Sequence, residues 1–241
     1  MGLPNPLGQV RIVLSHTSHP GNIGASARAM KTMGLHALYL INPKSFPDKE
    51  ATARAANATN VLKHAVVCTD LDAALQHSAL TAAITARPRE LSHAVFNARQ
   101  GANELIRYAH RQSVALLFGR ENSGLTTEEV SKCQIIIHIP ANPEYPSLNL
   151  ASAVQIMAYE LRMASGEQLA PLVAEHPAAT FTELETMYAH LEHLMIVSHF
   201  LDPQRPKLLM QRIRRLFARA RLEKEEVQML RGFLNALGRR W

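Results

Sequence analysis

Six short apolar runs punctuate the first 140 residues: Val10–Leu14, Ala37–Ile41, Ala65–Cys68, Leu80–Thr85, Val114–Phe118 and Ile135–Ile139. They are rich in Val, Ile and Leu, and most lack the in–out alternation of a half-solvated sheet, so they predict strands buried on both faces. Segments of helical texture lie between them. Ile23–Met33 stops at Gly34, with Asn22 as the expected N-cap. Leu71–His77 and Asn97–His110 follow, and Thr127–Lys132 is preceded by Thr126, spaced from Glu129 as a capping box. Strand and helix alternating in this way predict an α/β domain with a largely parallel sheet and helices on both faces. Ligands of such sheets sit beyond the carboxyl ends of the strands.

After the last strand, Leu150, Val154, Met157 and Leu161 recur at steps of four, three and four, which predicts one apolar stripe on a helix through residues 148–164. That helix closes a first domain of residues 1–165. Residues 166–180 contain two prolines and no strong period, the texture of a linker. From Phe181 onward the pattern is helical only, with Leu184, Tyr188, Leu191 and Met195 on one stripe, so residues 181–241 are expected to form a small all-helical domain. Within it, Arg205 to Arg221 holds seven basic residues and no acidic one. A solvated helix face and a polyanion-binding face both account for such a run.

Composition narrows the partners. The 241 residues have room for one full domain and a smaller one. Lys and Arg outnumber Asp and Glu by 26 to 20, a net charge of +6, which favours anionic ligands mildly. The two cysteines, Cys68 and Cys133, are far apart and lack CxxC spacing, so neither a disulfide framework nor a zinc knuckle is signalled. No secretory pattern opens the chain and no apolar run is long enough to span a membrane. The expectation is a cytoplasmic protein without a membrane partner.

Three stretches leave strands through polar turns. The first, HPGNIGASARAM at residues 19–30, is rich in glycine but spells neither GxGxxG nor a Walker loop, and the following strand ends in Ile41-Asn42-Pro43 with no acid for a ribose hydroxyl. A nicotinamide-dependent oxidoreductase is therefore disfavoured. A capped helix explains most of this stretch and leaves Arg28 over. The second, LLFGRENSGLT at 116–126, ends a strand on Gly119, where backbone without a side chain can approach a ligand. The third, IPANPEYPSLNLASAVQ at 139–155, carries Pro140, Pro143 and Pro146, and a stiff loop lowers the ordering cost of binding. His16 and His19 form a pair without a third ligand at metal spacing, so no metal is expected. Glu121 and Glu144 are candidate general bases, and each is also an ordinary loop residue.

Taken in order, NIGASARAMKTMG, LLFGRENSGLT and IPANPEYPSLNLASAVQ resemble the three motifs of the SPOUT class of RNA methyltransferases, in its ribose-methylating branch. The resemblance implies a parallel sheet whose last segments thread a C-terminal trefoil knot, with S-adenosylmethionine bent in the knotted loops. It implies cofactor contacts at Ile84, Thr85, Ala86, Gly119, Ile139, Pro146, Ser147 and Leu148. Arg28 matches the family's essential arginine and Asn22 its motif asparagine; Arg28 is expected to stabilise charge on the reacting oxygen, and Ser147 to relay its proton. Homodimers are implied, with the Leu150–Leu161 stripe facing a second subunit as well as its own sheet. The implied reaction is methyl transfer to a tRNA ribose 2′-hydroxyl, at cytidine or uridine 32 of the anticodon loop. Arg212, Arg215 and Arg219 of the tail are expected to contact the tRNA. Another RNA substrate, or a catalytically silent RNA-binding protein, are the alternatives.

Overall fold

The computed structural model describes residues 5–86, 94–166 and 177–238. Its sheet has seven strands, β1 (Val10–Ser15), β2 (Ala37–Ile41), β3 (Val66–Cys68), β4 (Leu80–Ile84), β5 (Ala94–Asn97), β6 (Val114–Phe118) and β7 (Ile135–His138), in the order β3-β2-β1-β6-β4-β7-β5. Every pairing is parallel. The helices of this region are α1 (Pro20–Met33), α2 (Lys49–Ala55), α3 (Thr59–Lys63), α4 (Leu71–Leu75), α5 (Ala98–Ala109), α6 (Thr127–Lys132) and α7 (Leu150–Gly166). One face of the sheet packs against α1, α2, α3, α5 and α7 through a core that includes Met30, Leu105, Leu116 and Val154. The other packs against α4 and α6 through Leu75, Leu117 and Val130. Parallel strands covered on both sides explain the continuous apolar runs.

The edges depart from that rule. Val66 and Val67 are 44% and 54% exposed, because β3 is the last strand on its side and has only β2 as neighbour. The opposite edge strand, β5, has four residues and is too short to stand out in the sequence. Asn97, expected inside a helix, instead caps α5 in a reciprocal pair with Gln100. α2 and α3 lie in an alanine-rich stretch whose period is weak, and Asp48 starts α2 by accepting from the Glu50 amide.

α1 corrects the expected cap. Its N-cap is His19, without a side-chain bond, and Pro20 occupies the first turn, where its missing N–H costs nothing. Asn22 therefore sits inside the helix with its amide free for other work. Gly34 ends the helix at φ 85°, as the pattern predicts. A Cβ on Gly24 would lie 2.0 Å from the Ala51 carbonyl oxygen, so this glycine serves the close crossing of α1 and α2.

α7 corrects a second expectation. Leu150, Val154, Met157 and Leu161 are all buried in the chain's own core, between α1 and α5, and leave no surface for a second subunit. The apolar residues that α7 does expose are Tyr159 and Met163.

Three further helices, α8 (Phe181–Val197), α9 (Leu209–Ala220) and α10 (Lys224–Gly238), share a small core of Leu184, Met187, Tyr188, Val227 and Leu234. Most of the expected linker, residues 167–176, lies outside the described residues. This helical unit docks at the amino ends of β4 and β6. Phe181 enters the sheet's second core and its N–H donates to the Ser78 carbonyl at 2.8 Å. Gln112 bonds the Ala178 backbone in both directions, at 2.9 and 3.1 Å.

Candidate functional site

β4, β6 and β7 are neighbours in the sheet, so the segments that leave their carboxyl ends meet. They enclose a cleft of about 240 Å³. Ile84, Thr85, Ala86, Gly119, Ile139, Pro146, Ser147 and Leu148 all line it, which places the eight residues expected at the cofactor around one space. Phe118, Leu125, Leu150 and Ala153 complete an apolar floor, and Arg120 and Glu121 bring charge to the wall.

Gly119 has a structural reason as well as a chemical one. A Cβ there would lie 2.2 Å from the Gly124 carbonyl carbon and 2.4 Å from the Leu125 nitrogen. The loop folds back through paired backbone bonds between Arg120 and Gly124, at 2.9 and 3.2 Å, and Gly124 takes φ 69°. A strand that must turn this tightly has room only for glycine.

Glu121 ties this loop to the start of α1. Its carboxylate accepts from the Ser18 N–H at 3.0 Å, the Ser18 hydroxyl at 2.9 Å, the His19 N–H at 3.1 Å and the Asn22 amide at 3.1 Å. Burial alone would raise its pKa, but the donors from Ser18, Asn22 and His19 outweigh burial and hold it down at about 2. Glu121 is thus a fixed anion with its lone pairs engaged, which removes it as a general base. The Asn22 carbonyl oxygen in turn accepts from Asn149 at 3.0 Å. Asn22 therefore joins all three motif loops, and its two bonds fix which way its amide points. Neither the tying role of Glu121 nor that of Asn149 was expected from the sequence, although the glutamate two positions after Gly119 and the asparagine after Ser147-Leu148 were visible.

Arg28 does not line the cleft. It is exposed on α1, six residues and roughly 9 Å of helix rise beyond Asn22. Among the described residues it has no ion-pair partner, so its guanidinium is open to a substrate. Ser147 is exposed in the cleft wall. His16 and His19 belong to no group of three metal-ligating side chains among the described residues.

The basic segment divides in two. Arg214 forms a bidentate pair with Glu185 and lies 4.5 Å from the Tyr188 ring centroid, and Arg221 pairs with Glu104 at 3.6 Å. Those two hold the fold. Arg212, Arg215 and Arg219 fall at i, i+3 and i+7 on α9, a single helix face, with Arg212 and Arg219 exposed and Arg215 half-buried. No helix among the described residues is long and apolar enough to cross a membrane.

A cleft with an apolar floor, charged residues in its wall and strand ends beneath it suits a small ligand that is part apolar and part polar. The sequence model of the SpoU rRNA methylase family matches residues 9–159, which contain the whole cleft. The chain belongs to the SpoU methylase family. Residues 182–241 match the C-terminal domain of the tRNA methyltransferase TrmJ, which places the chain with the TrmJ members of that family. A relative from Pseudomonas aeruginosa, named tRNA (cytidine/uridine/adenosine-2′-O-)-methyltransferase TrmJ, is 44% identical over 95% of this chain and 93% of its own. One from Pectobacterium atrosepticum, named tRNA (cytidine/uridine-2′-O-)-methyltransferase TrmJ, is 45% identical over 96% of this chain and 97% of its own. The crystal structure of TrmJ from Z. mobilis ZM4 superposes with a TM-score of 0.85 at 33% identity, covering 95% of this chain and 98% of that one. The SpoU fold and the helical extension are thus both shared with TrmJ proteins.

Proposed function

We propose that this chain is an S-adenosylmethionine-dependent tRNA 2′-O-ribose methyltransferase that modifies cytidine and uridine 32 of the anticodon loop, working as a homodimer in the cytoplasm. The observation that carries the reading is the convergence of the three motif loops on one cleft, cross-tied through Asn22. Residues 1–165 would form the catalytic domain, with the trefoil knot in its last loops, 166–180 the linker and 181–241 the tRNA-binding extension. The knot stands against the general rule that chains do not thread loops, and it rests on the family resemblance alone.

Bound in the cleft, the cofactor supplies an electrophilic methyl group on a sulfonium. Ile84, Ile139 and Leu148 would offer it apolar surface, and Thr85, Ala86, Gly119, Pro146 and Ser147 would hold it, largely through backbone groups. A ribose hydroxyl is a weak nucleophile, so the chain must align it and favour loss of its proton. Arg28 serves by charge. A guanidinium stays protonated in a protein, so it steadies the negative charge that develops on the oxygen and takes a neighbouring phosphate. Glu121, held at about 2, keeps the α1 loop in place and takes no proton. Ser147, in the cleft wall, is the relay for the departing proton.

The test is mass-spectrometric mapping of ribose methylation in tRNA incubated with and without the protein. New methyl groups at cytidine and uridine 32 support the reading; their absence from tRNA, with methylation of another RNA, would move the substrate. The adenosine in the name of the Pseudomonas relative makes adenosine 32 the second base to examine.

A further inference from the structure

The two residues after Gly119 are anchored in opposite directions. Glu121 turns toward α1, whereas Arg120 turns toward a cluster that methyl transfer as proposed leaves unused. Arg120 Nη1 donates to Glu129 Oε2 at 2.9 Å, and its Nη2 stands 3.0 Å from Nδ1 of His16. The Ser15 hydroxyl donates to Glu129 Oε1 at 2.5 Å and stands 2.9 Å from the same Nδ1. The Thr126 N–H adds a bond to Glu129 Oε2 at 2.7 Å. Ser15 and Glu129 are buried and His16 is half-buried, while Arg120 reaches the cleft wall. His16 takes φ 51°, a left-handed conformation uncommon outside glycine and asparagine, and its N–H donates to the Ile41 carbonyl at 2.7 Å. Backbone strain of this kind persists only where the surroundings impose it.

We propose that His16 is a positioning residue that helps hold Arg120 at the wall of the cofactor cleft only while its imidazole is neutral, so that protonation breaks that contact, leaves Arg120 on Glu129 alone and weakens cofactor binding. The inference rests on the reading of the cleft as the S-adenosylmethionine site. A guanidinium has only donors, so we assign the neutral tautomer that takes up the Arg120 contact, with Nδ1 as acceptor and the ring proton on Nε2. The single Ser15 hydroxyl proton is engaged with Glu129. One proton arriving at Nδ1 turns that acceptor into a donor. Ser15 Oγ can receive the new bond while still donating to Glu129; Arg120 cannot, and two cations then face each other at 3.0 Å. The imidazole thereby exchanges Arg120 for Ser15, and Arg120 keeps Glu129 alone.

Among the described residues, Arg120 is the charged group in direct contact with His16, and Glu129 is linked to it through Arg120 and Ser15. Glu121, on the far side of the loop and held at about 2, does not change charge between about pH 5 and 8, where histidine ordinarily titrates.

The experiment is calorimetric titration of the full-length protein with S-adenosylmethionine from about pH 8 down to about pH 5.5, with melting curves to verify folding. The cofactor's own amine titrates alike in every sample, so the readout is the difference between wild type and variant. Wild-type affinity should fall about fivefold or more on acidification beyond that shared change. His16→Asn tolerates the left-handed backbone and offers Arg120 an amide oxygen that does not titrate, so it should bring back most of the affinity and lose the acid limb. His16→Gly, which keeps the backbone and offers no acceptor, should bind weakly throughout. Arg120→Gln removes the cation that protonated His16 repels and should also lack the acid limb. A His16→Asn or Arg120→Gln protein that keeps the wild-type acid limb overturns the proposal. A wild type that binds no S-adenosylmethionine at any pH overturns the reading of the cleft and this inference with it.

Discussion

Charge is handled in opposite ways at the cleft and on α9. Around the cleft, Glu121 and Arg120 are each engaged by several partners, and those partners come from other loops. On α9, Arg212, Arg215 and Arg219 share a face and have no ion-pair partner among the described residues, while Arg214 and Arg221 beside them are locked into pairs with Glu185 and Glu104. A small ligand whose reacting atom must be placed closely calls for groups fixed before it arrives. A polyanion is gripped through counterion release, and flexible solvated cations do that without fixed geometry. On the proposed reading, one chain holds a rigid site and a permissive one.

Arg28 tests the boundary between the two, since it is exposed like Arg212 and Arg219 of α9 yet belongs to the first motif. Arg28→Ala should lower methyl transfer by about 10³-fold, the scale of a lost charge-stabilising donor, with S-adenosylmethionine affinity within about twofold. Single-turnover assays with saturating tRNA and cofactor titration check both halves. Near-normal turnover would remove Arg28 from the reaction.

Gly119→Ala attacks the rigid site directly. The new Cβ would strike the Gly124 backbone, and forcing the loop open costs about 1–3 kcal/mol, or roughly ten- to hundredfold in cofactor affinity. Binding of tRNA to α9 should be unchanged. Wild-type affinity for the cofactor in this variant would mean that the 119–124 turn is not part of the site.

Glu121→Gln keeps the shape and removes the charge. Loss of charge-assisted bonds to Ser18, His19 and Asn22 should slow turnover about tenfold. The sign of the pH effect follows from a folded pKa of about 2 against an ordinary value of 4.5. The contribution of Glu121 to stability is complete above the ordinary carboxylate range and is lost as pH falls from there toward 2. Thermal melts should show that acid limb diminished in the variant; identical limbs would place the charge elsewhere.

The smallest effect belongs to the permissive site. Changing Arg212, Arg215 and Arg219 together to Gln should weaken tRNA binding about five- to tenfold at moderate salt and flatten its salt dependence by about 0.7–0.9 log units for each phosphate that the stripe no longer neutralises. Cofactor affinity should not move. An unchanged salt slope would make the stripe a solvated face. Removing the extension outright is a poorer test, because Phe181 fills part of the sheet's second core and cutting near Gly166 would uncover it.

Local chemistry was legible in the sequence wherever it decides the outcome alone. Buried parallel strands announce themselves as apolar runs, Gly34 stops α1, and Thr126 and Glu129 form the expected capping box. The family resemblance, rather than any local pattern, named the eight residues that line one cleft. Local signals failed where the deciding partner is distant or the element is short. β5 has four residues, and the stripe on α7 is the same pattern whether it meets its own core or another chain. His19 rather than Asn22 caps α1, because Pro20 fits the first turn.

The amino-acid sequence by itself determined the alternation of elements, the separate helical tail, the excess of positive charge and the three motif loops, since each depends on residues within a few positions of one another. Tertiary structure alone decided which side chains became fixed. Ser18 and Glu121 are 103 positions apart, Ser15 and Glu129 114, and Asn22 and Asn149 127. No local period encodes such pairs. They form because parallel strands bring every segment that leaves a strand to the same end of the sheet, where burial makes an unpaired charge costly and a paired one rigid.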